Sequence, residues 1–239
     1  MIGRIIWLAL IVAVAAITGA VQLDRQARVS PELAAVVPEP FRAFAQARVA
    51  SNAMLGDDPA LALAEAERLV ERRPLPAEHV RLLAHAQINA ELVDEGVVTI
   101  QVAAKRGWRD RLAQESMLRL ALAAEDMPEA TRRYTALFLS NQTEDDLLVE
   151  LAADTFVEAQ GAGRRTFTDL VVGGERWHGL FLSRGSRVLP SDAFLEIVTE
   201  SDRRGARFEC TGLRRAATIL TNRRSDQAQE FQEFVSAQC

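Results

Sequence analysis

Two stretches of this chain repeat each other in a register that leaves few folds open. GDDPALALAEAERLVERRP (56–74) aligns with AAEDMPEATRRYTALFLSN (123–141), so that Ala62 falls on Ala130, Ala66 on Tyr134 and Leu69 on Leu137. The offset is 68 residues, twice 34, and Gly96, Ile100 and Ala103 stand at the matching places halfway between. The segments that precede each copy keep the same step. Leu83 matches Met117 and Leu151, and Ala84 matches Leu118 and Ala152. A repeat of this length with helical periodicity describes a pair of helices per unit. One pair cannot bury its apolar face alone, so about three or more must stack.

Turn chemistry sets the helix limits. Gly56-Asp57-Asp58-Pro59 breaks one helix and restarts another, with Asp57 or Asp58 as cap and Pro59 in the first turn. The spacing of apolar residues predicts helix pairs 41–55 and 59–71, 77–90 and 95–105, and 111–124 and 128–139, followed by a helix over 144–160. The turn from Glu91 to Asp94 lacks Gly and Pro, and the second helix of the fourth unit is degenerate after Gly161-Ala162-Gly163. Trp108 reads as a packing residue between repeats. With few Val-, Ile- and Thr-rich runs, the chain reads as all-α.

These residues resemble the tetratricopeptide repeat family over roughly 41–160. The resemblance implies a right-handed α-solenoid of helix pairs and a groove that holds a protein or peptide. The groove would be lined by the first helix of each pair. The positions that match are Phe44, Ser51 and Met54, then Arg81, His85 and Asn89, then Glu115 and Arg119. Arg81 and His85, like Glu115 and Arg119, are four residues apart and share a helix face. Ordinary surface ion pairs would explain them as well.

Before the repeats, Ile5 to Leu23 carries no charge over 19 residues, and the basic Arg4 precedes it. That length suits a transmembrane helix or a secretory signal. A retained single-pass anchor over 1–23 and a signal cleaved after Ala20 both remain open. Residues 24–40, broken by Pro31, Pro38 and Pro40, read as a mobile linker that holds the repeats off the membrane.

Residues 161–239 remain helical without the period and read as a helical cap on the open end of the array. Helices are expected over 191–204, with Ser191 or Asp192 as cap, and over 209–220 and 226–237. Cys210 and Cys239 are the only cysteines. On an exported chain an even count predicts a disulfide between them; in the cytosol they would stay thiols. Export with a disulfide places the bulk of the chain in the periplasm, on a bacterial inner membrane.

The net charge is −5, which gives no reason to expect nucleic acid. Residues 57–160 carry 11 basic and 20 acidic side chains, residues 161–224 carry 12 and 7. The second set is a solvated surface or a site for anionic lipid. His79, His85 and His178 have no metal-ligand spacing with the cysteines. No nucleophile elbow is present, and the single lysine, Lys105, lies in no phosphate loop. Trp177-His178 reads as a core tryptophan beside a surface histidine. The expected function is therefore a membrane-tethered protein-interaction scaffold without cofactor, metal or small-molecule substrate, and not an enzyme. Its alternatives are a permanent subunit of an envelope complex, or an enzyme or lipid binder using the arginine-rich carboxy-terminal half.

Overall fold

A computed structural model describes residues 2–239, and every regular element among them is helical. The chain divides into two compact units, Met1–Gly107 and Trp108–Cys239. The all-α expectation stands, with one apolar helix at the amino terminus.

The first unit contains α1 (Ile2–Gln26), α2 (Ala45–Ala53), α3 (Pro59–Arg72), α4 (Ala77–Asn89) and α5 (Val93–Arg106). The apolar side chains of α1 are exposed along its length, and the helix is long and apolar enough to cross a membrane or to act as a signal sequence. The linker expected over 24–40 is different. It folds back in two short 3-10 turns, Pro31–Ala35 and Glu39–Phe41. Ala27, Ala34, Val37 and Ala45 form a small core there with Leu23, Leu33 and Phe41. Asp24 is buried and accepts the backbone N–H groups of Ala43, Phe44 and Ala45 at 2.9, 3.1 and 2.9 Å. The start of α2 is thus satisfied by a carboxylate from the end of α1. Prolines end helices but do not prevent docking, and the small apolar residues between them supply the contact.

α2 is tied to α3 by a buried polar chain. Gln46 donates to the Glu65 carbonyl and to its carboxylate, at 3.0 and 2.6 Å. Arg68 completes the glutamate at 2.6 Å, and Arg72 reaches the Gln46 amide oxygen at 3.3 Å. α4 and α5 pack closely because of Gly96. A Cβ there would stand 2.5 Å from Ile88 Cγ1 and 3.0 Å from the Ala84 carbonyl oxygen.

The second unit begins with α6 (Arg111–Ala123), α7 (Met127–Leu139), α8 (Asp145–Thr155) and α9 (Ala162–Val172). Next comes α10 (178–188), with a π-helical turn at Phe181–Gly185, then α11 (Ser191–Arg203), α12 (Cys210–Asn222) and α13 (Ala228–Gln238). One core runs from Leu118 to Val235. The division expected at 160/161 falls inside this core. Tyr134, Phe138, Phe156, Phe167, Phe181, Phe194 and Phe231 are fully buried in it. Their rings meet mostly edge-on or tilted, with centroids 5.0–6.1 Å apart.

The 34-residue step is visible in side-chain burial within each unit. In the second helices Ala62, Ala66 and Leu69 are buried, as are Gly96, Ile100 and Ala103, and Ala130, Tyr134 and Leu137. α9 continues the step with Arg164, Thr168 and Val171, all buried. The fourth second helix therefore exists, where the sequence pattern reads as degenerate. An arginine occupies the small-residue position and brings its own partners.

The turns repeat as well. Glu91 and Glu125, 34 residues apart, have φ of 66° and 56°. In both, the next N–H closes back on the helix: Leu92 to Gln87 O and Asp126 to Ala121 O, each at 2.9 Å. These are Schellman caps, in which a left-handed residue ends the helix. That backbone needs no Gly or Pro from sequence, but a side chain there is strained. Glu125→Gly should therefore raise stability by about 0.5–1 kcal/mol. Urea unfolding at constant m-value measures it, and no gain would refute strain at this turn.

Candidate functional site

The residues expected to line a groove lie on first helices of both units, and each set is described within its own unit. In the first unit Arg81, His85 and Asn89 follow one face of α4, beside the buried Val80 and Ala84. Arg81 and His85 are half-buried and Asn89 is exposed. Of the α2 candidates, Ser51 returns its hydroxyl to the Ala47 carbonyl at 2.8 Å. Phe44 precedes α2, and Arg28 and Arg73 both stand over its ring, with guanidinium carbons 5.8 and 4.4 Å from the ring centre. Met54 closes the end of α2.

In the second unit Glu115 and Arg119 do share a face of α6, and they pair at 3.1 Å. Arg111 also reaches Glu115, at 3.4 Å. Arg119 extends to Glu150 on α8, at 3.0 Å. The hydrogen bonds to Glu150 and then Glu115 raise the Arg119 pKa further, against the opposing effect of burial. Glu150 was not a sequence candidate, and only its helical face would have pointed to it. Arg119 is half-exposed and Glu150 more so. Exposed pairs of this kind are worth about 0–1 kcal/mol each. They can exchange one another for charges on a partner at little cost.

Two other arginines are structural. Arg164 is buried and donates to the Phe156 carbonyl at 2.9 Å, and it pairs with Asp192 and Glu196 of α11 at 2.5 and 2.7 Å. Asp192 thus serves Arg164 rather than capping α11, which has no side-chain cap. Arg184, in the π turn, donates to the carbonyls of Phe138, Ser140 and Thr143 and to Asp145.

Two expectations about single residues are corrected. Trp108 is 55% exposed, with Arg109 4.8 Å above its ring, rather than packed between repeats. His178 is buried, not on the surface, because its nitrogens face carbonyl oxygens of Val171 and Arg207 at 2.8 and 3.2 Å. Phe208 lies against its ring, 4.9 Å between centres. Trp177 packs on Phe138, Phe167 and Phe181. The pair is used in packing. Among the described residues, no three His, Cys, Asp or Glu side chains gather as metal ligands would. The Cys210 and Cys239 sulfurs are at bonding distance, with Cα atoms 5.7 Å apart. No protein-family model, curated protein or solved structure matches this chain.

Proposed function

We propose that this chain is a membrane-tethered interaction scaffold of the tetratricopeptide-like kind, holding a partner protein on the polar faces of its first helices. The supporting observation is the Arg111–Glu115–Arg119–Glu150 network. It gathers exchangeable charge across α6 and α8, outside the core. The 34-residue recurrence of buried positions and of the Glu91 and Glu125 caps supports the family reading. The exposed apolar α1 supports the tether, and the cysteine pair supports an oxidising compartment such as the periplasm.

The test is in-cell crosslinking followed by purification from membranes. Two double variants are compared with the parent: Arg81→Ala/His85→Ala in the first unit, and Glu115→Ala/Arg119→Ala in the second. At least one should lose a specific crosslinked partner while keeping the parent's circular dichroism and melting curve. An unchanged set of crosslinked proteins in both would refute recognition by these faces.

A further inference from the structure

No spacer separates α1 from the rest of the first unit, so a bilayer holding α1 would meet that unit's surface. Ile5 to Leu23 spans about 28 Å as a helix, close to the roughly 30 Å hydrocarbon thickness of a bilayer. Asp24 follows at once, buried by the unit and accepting three of its N–H groups. A carboxylate at that depth needs such compensation. Leu23 and Ala27 share one small core with Ala34, Val37 and Ala45, so the unit is packed onto the exit of α1.

The backbone keeps turning after Gln26. The N–H groups of Ala27, Arg28, Val29 and Ser30 bond back to Leu23, Arg25, Gln26 and Gln26. Four residues turning in this way stay within about 10 Å of the level of Leu23, at the outer part of a headgroup layer about 5–8 Å deep. The side chains there suit that layer. Arg25 and Arg28 are exposed, and Arg28 and Arg73 stand over the Phe44 ring. Among the described residues none of Arg25, Arg28 and Arg73 has a carboxylate within ion-pair distance, while Glu32 is exposed nearby in the chain. Val29 and Val36 are 72% and 65% exposed, although the turns they belong to are packed. Unpaired arginines beside exposed valines and a half-buried phenylalanine are the composition of a membrane-interface surface.

We infer that the first unit lies directly on the bilayer, with Arg25, Arg28 and Arg73 on lipid phosphates and Val29 and Val36 among the headgroups. The inference rests on α1 being a retained span. The lipid phosphodiester is the chemistry recognised, and a net anionic headgroup strengthens the contact.

The test uses the full chain in vesicles of phosphatidylethanolamine with phosphatidylglycerol. A photo-crosslinking amino acid is placed at Val29, Val36 or Val98, the last an exposed valine on α5. Lipid adducts should form at Val29 and Val36 and exceed those at Val98 by at least about threefold. Arg25→Gln/Arg28→Gln, both exposed positions, should reduce the Val36 adduct, and so should vesicles of phosphatidylcholine alone. Alkaline carbonate extraction separates the two ways of failing. Release of the protein would overturn the retained span and the inference with it. Retention with equal adducts at all three positions would overturn the inference alone.

Discussion

Replacing Arg184 by methionine should lower the thermal midpoint of the second unit by about 6–12 °C, through a loss of about 3 kcal/mol. The guanidinium is buried and carries four acceptors. It donates to the carbonyls of Phe138 at 2.6 Å and Ser140 at 2.9 Å, to the carbonyl of Thr143, and to Asp145 at 2.8 Å. Phe138 and Ser140 stand at the end of α7, where carbonyls have no partner within the helix. Methionine fills most of the volume but leaves these oxygens without a donor. Each buried acceptor left so costs about 1–3 kcal/mol. Asp145 adds less, being partly exposed and solvated. Arg184→Lys should recover little, since an ammonium cannot span the same fork of acceptors.

The same variant has a pH signature. Burial works to raise the Asp145 pKa, but the hydrogen bond and charge of Arg184, with those of Arg187, outweigh it and hold the carboxyl below its usual range. A depressed carboxylate contributes stability that is present above the unfolded pKa, near 3.8. That contribution is lost as pH falls through the lower folded value. Arg184→Met should therefore flatten stability against pH below about 4. A melting temperature within about 2 °C of the parent, with an unchanged acid limb, would refute the role assigned to Arg184.

What the sequence made legible was local. The helix limits follow from apolar spacing that needs no partner to be recognised and from Asp58, whose side chain accepts first-turn N–H groups; the structure shows Asp110 and Asp126 doing the same. The cysteine pair was legible because only one pairing is possible. Arg164 and Arg184 were not, since the carboxylates that pair with Arg164 lie 28–32 residues away in sequence and the acceptors of Arg184 39–46 away. Arginine at a repeat position looks like the end of a pattern until Asp192 and Glu196 are brought to it. Asp24 misled for the same reason. Its position after an apolar run reads as the start of a linker, and nothing local tells that three N–H groups about twenty residues on will bury it. The candidate faces were half legible. The four-residue step gave Glu115 and Arg119, but Glu150 enters from the next first helix.

Reducing the Cys210–Cys239 bond should cost the second unit about 3–4 kcal/mol on a chain-entropy account of a loop with a sequence separation of 29. The bond closes the α12–α13 hairpin at its open end, since Cys210 starts α12 and Cys239 follows α13. α13 gives the core only two buried side chains, Phe231 and Val235. Phe231 meets Phe194 with ring centres 5.4 Å apart, while Val235 lies one turn closer to the bond. An eleven-residue helix on so small a footprint is marginal alone. Its docking therefore depends on the bond more than that of any other helix in the unit. Cys210→Ser/Cys239→Ser, or the parent in reductant, should lose hydrogen-exchange protection first over 228–238 and then melt about 6–16 °C lower. Because the loss comes mainly from the unfolded chain, the double variant and the reduced parent should agree. Alkylation of the native protein without reductant should leave both cysteines unmodified. Two alkylated cysteines would show that the bond does not form, and equal melting of all three species would show that it forms without holding α13.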